Sequence, residues 1–339
     1  MYAMVCTAPF TLEWQPLHLP PLGPRDVLIH LSQTGICPSD VRVYVGKSSS
    51  TKLPKILGHE TVGQVVEVGR EVVSVKPGQW VVPDGIIKCG CCAACRKARS
   101  NKCQRVRYAS GAYGQAMIVP ETNVYPLHET TPLPAATFTE PLACVLRGER
   151  MLRITPGETA LIVGCGPIGL LHLQVAKRFG ARVLVADLKR DRLDKALSLG
   201  ADVALDPQRP LREAVLAETD GYGADVAVVA FGSARLVESA AEALAYGGRL
   251  NIFAGVHPKD SLSIDPNLIH YNELVITGSA DHTPLDYAEA LNLIERGLVQ
   301  VLPLISDVIP LRDLQRGFEI VQAQQGLKVI VEVNPDLVR

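Results

Sequence analysis

The sequence lacks a long apolar run, a strong charge imbalance and any low-complexity segment. No apolar stretch reaches the roughly 18 residues of a membrane-spanning helix, and the longest one, at 160–173, is interrupted by glycines and a proline. The 34 Lys and Arg residues nearly balance the 35 Asp and Glu residues, so the formal net charge is -1. This balance gives no long-range attraction to nucleic acid or to an anionic membrane. We therefore expect neither as a partner.

The N-terminal residues also lack the basic and apolar regions of a secretory signal peptide, which predicts a cytoplasmic protein. In that setting the nine cysteines indicate metal binding or catalysis rather than disulfides. A length of 339 residues suggests about two domains.

The chain changes character near residue 142. Before this point short β-type runs alternate with Gly and Pro turns, a pattern typical of a barrel-like or mixed β domain. After it, strand-like and helical stretches alternate, with helices predicted at 169–179 and 236–244 among others, which predicts βαβ units in a doubly wound parallel sheet. A last helix and strand, at 311–322 and 329–333, could rejoin the first domain. The run from Ser48 to Thr51 predicts an exposed loop.

A glycine motif marks the start of the second region. The strand-like run 161–163 leads into G-x-G-x-x-G and then a helix, the context that dinucleotide binding requires. Asp187 follows about 20 residues later, where an acid binds the ribose hydroxyls and repels a 2′-phosphate. This favours NAD over NADP, although Lys189 and Arg190 lie close by and oppose the preference. The candidate cofactor-binding residues are Gly164, Gly166, Pro167, Ile168, Gly169, Asp187 and Arg192.

Four cysteines, Cys89, Cys92, Cys95 and Cys103, follow the pattern C-x2-C-x2-C-x7-C. Four thiolates at short spacing are typical of a closed, structural zinc site. Cys91 lies within the segment but outside the pattern. The surrounding lobe is basic, as in a nucleic-acid-binding zinc ribbon, but the glycine motif and the net charge disfavour that interpretation. A solvated face or a subunit contact fits the basic residues better.

Three short stretches supply candidates for a second, open zinc site. They contain Cys37, then His59 with Glu60, and finally Glu140. Catalytic zinc takes a few ligands of mixed nitrogen, sulfur and oxygen type and keeps a position for water or substrate. Each residue alone is weak evidence. The prediction rests on the occurrence of all of them together in this order along the chain.

Together these motifs identify a family resemblance. Gly58-His59-Glu60 with Gly63, the four-cysteine lobe, Glu140-Pro141-Leu142, the glycine motif and Asp187 resemble the zinc-dependent medium-chain dehydrogenase/reductases. Within them, the sequence resembles the sorbitol (L-iditol) dehydrogenase-like branch. The resemblance spans essentially the whole chain. It implies a GroES-like β-rich catalytic domain at 1–141 and 282–339, a Rossmann NAD-binding domain at 142–281, and a homodimer or homotetramer.

The resemblance also implies roles for single residues. Cys37 and His59 match zinc ligands, and Glu60 matches a ligand in some members and an exchanging or outer group in others. Glu140 stands where ethanol-type enzymes have cysteine and polyol- or threonine-type enzymes have glutamate. Ser39 matches the hydroxyl that takes the alcohol proton. Two residues depart from the pattern, because Pro38 replaces the usual glycine and Arg42 stands where a histidine often relays the proton.

The implied function is transfer of a hydride from a secondary alcohol to NAD, with two zinc ions per chain. The substrate expected is a polyol, sugar or cyclitol, while a threonine dehydrogenase-like amino-alcohol enzyme and an alditol-phosphate dehydrogenase remain open. A non-catalytic, crystallin-like nucleotide-binding protein is the alternative of another class, but such members usually lack the zinc ligands. Val43, Tyr44 and Tyr113 are candidates for lining the substrate cleft.

Overall fold

A computed structural model describes residues 1–48, 51–337 and 339, so Ser49 and Ser50 of the expected loop lie outside the described residues. The strands are β1 (Tyr2–Ala8), β2 (Thr11–Pro16), β3 (Asp26–Gly35), β4 (Lys55–Ile56), β5 (Glu60–Val68), β6 (Trp80–Pro83), β7 (Ile86–Ile87), β8 (Arg107–Tyr108), β9 (Ala116–Pro120), β10 (Val124–Pro126), β11 (Thr159–Val163), β12 (Arg182–Ala186), β13 (Val203–Ala204), β14 (Ala224–Val229), β15 (Leu244–Ile252), β16 (Val275–Gly278), β17 (Ile305–Pro310) and β18 (Lys328–Glu332).

The helices are α1 (Pro38–Tyr44), α2 (Ala93–Arg96), α3 (Leu133–Ala136), α4 (Thr139–Leu152), α5 (Pro167–Arg178), α6 (Arg190–Ser198), α7 (Leu211–Glu218), α8 (Ala234–Glu242), α9 (Pro266–Asn272), α10 (Pro284–Glu295) and α11 (Leu314–Gln322). Short 3₁₀ turns lie at Ser100–Lys102, Glu121–Asn123, Leu302–Leu304 and Leu311–Asp313. No helix in the described part of the chain combines the length and the apolar character needed to cross a membrane.

The chain divides into two compact units. The first consists of Met1–Pro141 and Thr283–Arg339, and the second of Leu142–His282. Within the described part of the first unit, a seven-stranded sheet has the order β10-β6-β5-β3-β18-β17, and β9 also pairs with β3. The central strand β3 alternates buried with less buried residues along much of its length, and its buried Val27, Ile29 and Leu31 belong to the core of this unit.

The last strand, β18, is part of this sheet. It runs antiparallel to β3, with Ile330 opposite Gly35, and parallel to β17. Its residues Lys328 to Val331 are all buried, since it lies between two strands and beneath α11. The C-terminal segment therefore supplies an interior strand of the first unit.

The second unit contains a parallel sheet. Among its described residues six strands pair in the order β13-β12-β11-β14-β15-β16, which is 3-2-1-4-5-6 when counted from β11. This is the strand order of doubly wound dinucleotide-binding sheets, in which the ligand lies beyond the carboxyl ends of the strands at the point where the order reverses. A parallel sheet covered on both faces needs nearly continuous apolar strands, and Ala160 to Val163 of β11 are all buried.

Two helices begin earlier than their apolar pattern predicts. The helix expected from residue 169 begins at Pro167, because proline at the first helical position has its φ angle already set for the helix. The helix expected from residue 236 begins at Ala234, where Ser233 Oγ caps it by accepting the Leu236 N–H at 3.4 Å.

Candidate active site

Strand register places three predicted zinc ligands near one another in the first unit. In the antiparallel pair of β3 and β5, Gly35 lies opposite Glu60. Cys37 follows two residues after Gly35, and His59 directly precedes Glu60. The end of β3 and the start of β5 therefore bring a thiol, an imidazole and a carboxylate together at the same end of these two strands.

Helix starts position the other predicted residues. Cys37 has extended backbone and is the N-cap of α1, which Pro38 begins at its first position. Proline is thus compatible with this helix start, although it departs from the family pattern. Ser39 Oγ donates a hydrogen bond to Cys37 Sγ at 3.2 Å. Glu140 lies in the first turn of α4 and is buried.

The donor atoms of the predicted set converge. One ligand atom each from Cys37, His59 and Glu60 lies within 4.8 Å of the others. His59 Nε2 is 4.0 Å from Glu140 Oε2. Sulfur, nitrogen and oxygen donors at these separations form the mixed set that a catalytic zinc ion takes.

Asp40 and Tyr113 complete the surroundings of His59, a role that the sequence motifs did not predict for either residue. Asp40 Oδ1 is 3.6 Å from His59 Nδ1 and accepts the Gly58 N–H at 3.2 Å. Tyr113 Oη donates to Asp40 Oδ2 at 3.0 Å. A carboxylate on one ring nitrogen leaves the other free for a metal and fixes the orientation of the ring. The signal in the sequence that could have revealed Asp40 is a carboxylate three residues after Cys37, in the first turn of the helix that Cys37 caps.

The expectation that Tyr44 and Tyr113 line a substrate cleft is wrong. Tyr113 is completely buried and Tyr44 is 4% exposed, and both rings pack against Phe318 in the core of the first unit. Their hydrophobic bodies are part of the core, while the Tyr113 hydroxyl contacts Asp40. Val43 is only partly buried and packs against the same core.

The electrostatics of this cluster favour a cation. Burial lowers the pKa of His59, but Asp40, Glu140 and Cys37 outweigh it and raise the pKa well above its usual value. Burial and neighbouring carboxylates likewise raise the pKa of Tyr113 far above 10, so its hydroxyl stays protonated and donates. Since anionic groups dominate around His59, a divalent cation suits this donor set.

The four-cysteine lobe forms a second cluster in the first unit. The Sγ atoms of Cys89, Cys92, Cys95 and Cys103 all lie within 4.8 Å of one another, and Cys91 is exposed and outside this group. Cys103 Sγ accepts backbone N–H groups from Cys89 at 3.3 Å and from Arg105 at 3.4 Å.

Cys89 and Cys95 of the lobe have widely different pKa values. Hydrogen bonds from the backbone of Cys91, and next from that of Cys92, lower the pKa of Cys89 to about 5. Burial and neighbouring sulfurs raise the pKa of Cys95 to about 12. Thiols in mutual contact cannot all ionise unless a cation compensates them, so the group fits a tetrahedral zinc ion with four thiolate ligands.

Metal analysis tests both clusters. Because the described residues contain one four-thiol group and one mixed group in the first unit, we expect close to two zinc ions per purified chain. Cys103→Ser should lower the value to about one and lower Tm, since a structural zinc ion contributes directly to folding free energy. A reproducible value of one zinc in a fully active wild-type enzyme contradicts the two-site prediction.

The glycine motif of the second unit follows β11 and opens α5. A side chain at Gly169 would collide with the carbonyl oxygen of Gly164, so only glycine allows this close approach. Asp187, just after β12, accepts the Cys165 N–H at 2.7 Å and the Lys189 N–H at 2.9 Å. Arg192 Nη1 is 3.9 Å from Asp187 Oδ2. The predicted cofactor residues therefore lie together at the carboxyl ends of β11 and β12.

Two family models match the sequence. The model of the alcohol dehydrogenase GroES-like domain matches residues 23–129, and that of zinc-binding dehydrogenases matches residues 167–296. An L-threonine 3-dehydrogenase of Caldanaerobacter subterraneus is 34% identical, over 92% of this chain and 93% of the relative. The chain belongs to the zinc-dependent alcohol dehydrogenase family. Its predicted family, fold class and enzyme class are thus confirmed.

Two further proteins show the range of this family. A D-xylulose reductase A of Aspergillus niger is 32% identical, over 91% of this chain and 90% of the relative. An alcohol dehydrogenase of Escherichia coli, solved in complex with NADH, has a TM-score of 0.90 and 26% identity, covering 98% of this chain and 99% of the other. The predicted cofactors, zinc and NAD, agree with these findings.

Proposed function

We propose that the chain oxidises a secondary alcohol of a polyol, sugar or cyclitol with NAD as hydride acceptor. The observation that best supports this proposal is the cluster of Cys37, His59 and Glu60, with Glu140 Oε2 lying 4.0 Å from His59 Nε2. Glu140 in place of the cysteine of ethanol-type enzymes favours a polyhydroxylated or amino-alcohol substrate. The D-xylulose reductase and the L-threonine 3-dehydrogenase among the relatives represent these two substrate classes.

Each residue has a distinct task in this reaction. Cys37 and His59, with Glu60 or Glu140 as the third ligand, would hold the catalytic zinc ion, which when bound polarises the alcohol oxygen and so lowers its pKa. Ser39 lies next to Cys37 and would accept the alcohol proton and pass on its own. Asp40 and Tyr113 keep the His59 ring in one orientation. Removal of the carbinol hydride is then the chemistry of the nicotinamide ring.

The second unit would bind the nucleotide. The backbone N–H groups at the start of α5 and the positive end of its helix dipole suit the pyrophosphate. The Asp187 carboxylate is fixed by two backbone donors, which orients it toward the ribose hydroxyls and against a 2′-phosphate. Lys189 and Arg190 are exposed, and Arg190 pairs with Asp194 at 3.0 Å, which reduces its attraction for such a phosphate.

A substrate panel tests this proposal. Alditols, cyclitols, amino alcohols and their phosphates are to be compared by the rate of NADH absorbance increase. We expect the largest kcat/KM among unphosphorylated polyols or cyclitols. A preference for threonine or for an alditol phosphate supports one of the open alternatives, and failure to oxidise any member of the panel contradicts the proposal.

Arg42→His tests how the proton leaves Ser39. A guanidinium cannot act as a base, whereas a histidine titrates near pH 6.5. If Arg42 replaced a relay group, kcat/KM of the variant should gain an ionisation between about pH 6 and 7, with activity rising as the imidazole loses its proton. An unshifted profile with a raised KM shows instead that Arg42 binds an anionic group of cofactor or substrate. A variant identical to wild type in both measurements leaves Arg42 without a role.

Three finer expectations stay predictions. The first unit is proposed as the GroES-like catalytic domain and the second as the NAD-binding domain, with bounds near those predicted from the sequence. A cytoplasmic location and a homodimeric or homotetrameric assembly are also predicted. Sedimentation of the purified enzyme tests the assembly.

A further inference from the structure

A buried lysine lies beside the candidate zinc site. Lys328, the first residue of β18, is 5% exposed, and its ammonium forms an ion pair with Oε2 of Glu60, which is 2% exposed. The same ammonium donates to the carbonyl oxygen of Ile36 at 3.1 Å. A buried ammonium needs compensating partners of this kind, because removing a charge from water is costly.

The contacts of Lys328 extend to each segment that carries a predicted ligand. Ile36 directly precedes Cys37, and its own N–H donates to the carbonyl oxygen of Val329 at 3.0 Å. The Lys328 Nζ atom also lies 5.9 Å from the centre of the Phe138 ring, two residues before Glu140. The Lys328 ammonium therefore lies near the segment of Cys37, near Glu60 and near the segment of Glu140.

The position of this ammonium is closely confined. A side chain at Gly35 would come within 2.7 Å of Lys328 Cε, so the absence of a side chain there leaves the space that the lysine occupies. The backbone of Glu60 is held separately, since its carbonyl oxygen accepts the Thr34 hydroxyl at 2.9 Å. The ammonium of Lys328 is the side-chain partner that orients the Glu60 carboxylate.

We propose that Lys328 is a positioning residue for the catalytic zinc site. It holds one carboxylate oxygen of Glu60 and the Ile36 carbonyl, so that the other oxygen of Glu60 and the thiolate of Cys37 keep the separation a zinc ion requires. Hydrogen-bonded partners of ligating carboxylates act in this way in other metal sites. This inference rests on the proposed function, because it assumes that zinc binds the mixed donor set.

Zinc affinity measures the proposed role directly. In Lys328→Met, which keeps the bulk of the side chain without its charge, affinity at the open site should fall about 10–100-fold, the usual effect of losing such a partner. Competition with a chromophoric chelator, on protein that retains its four-thiol zinc, gives this value. In cobalt-substituted protein the visible absorption bands should also change, because they report the arrangement of the ligands.

A double-mutant cycle separates positioning from general stabilisation. If Lys328 acts through Glu60, Lys328→Met should lower zinc affinity in the wild-type background but hardly at all in a Glu60→Gln background. Lys328→Arg, which restores a cation, should recover part of the lost affinity. Lys328→Gln provides a second neutral variant if the methionine variant does not fold, and it should show the same direction of change.

The outcomes distinguish this inference from the proposed function. A folded Lys328→Met variant with wild-type zinc affinity and an unchanged cobalt spectrum overturns the positioning role. So does an equal loss of affinity in the Glu60→Gln background. If the wild-type protein binds only the four-thiol zinc and no second ion, the proposed function itself fails.

Discussion

Replacement of His59 by alanine should lower kcat/KM at least about a thousandfold, because loss of the catalytic ion removes several kcal/mol of charge stabilisation in the transition state. The imidazole stands between Asp40 on one side and Glu140 on the other, and no other described imidazole is grouped with Cys37 and Glu60. Metal analysis of the same variant should show that one zinc ion remains, in the four-cysteine lobe.

Two measurements show whether this loss is specific. NADH binding, followed by fluorescence, should be largely retained, because the glycine motif and Asp187 belong to the second unit. Asp40→Asn keeps the shape of the side chain that contacts His59 but removes its charge, so it should reduce activity less than His59→Ala. Loss of NADH binding in a well-folded His59→Ala variant would contradict the separation of metal and nucleotide sites.

Asp187→Ser should lower the preference for NAD over NADP, measured as the ratio of the two kcat/KM values, by about 100-fold or more. The estimate follows because placing a phosphate beside a fixed carboxylate costs several kcal/mol, and every 1.4 kcal/mol corresponds to a factor of ten. In the wild type the carboxylate is oriented by the N–H groups of Cys165 and Lys189. Without it, Lys189 and Arg190 attract the 2′-phosphate.

Asp225→Ser provides the matched control. Asp225 also accepts a backbone N–H at 2.7 Å, from Thr159, but both residues lie at the amino ends of β14 and β11. Asp225→Ser also removes a carboxylate from the second unit, but at the opposite ends of the strands from Asp187. The cofactor preference should therefore not change. A wild-type enzyme that prefers NADP shows instead that Lys189 and Arg190 dominate, and the role given to Asp187 is then wrong.

The features that the sequence could predict are those whose partners lie close together along the chain. The cysteine lobe spans Cys89 to Cys103, and the glycine motif spans Gly164 to Gly169, so spacing alone reveals them. The alternation of apolar strands and helices predicted the parallel sheet for the same reason, because each βαβ unit is local. Helix starts such as Pro167 and Ala234 were missed by two residues, since apolar periodicity does not detect a capping residue.

Only the tertiary structure decided how the candidate zinc site is supported. Tyr113 reaches Asp40 across 73 residues, and Lys328 reaches Glu60 across 268. No spacing rule connects such residues. The contact of Lys328 with Glu60 depends on β18 pairing with β3 and on the register of β3 with β5. The sequence alone determined the ligand types and the cofactor motif. The pairing of distant strands, driven by burial of their apolar faces, determined which side chains orient those ligands.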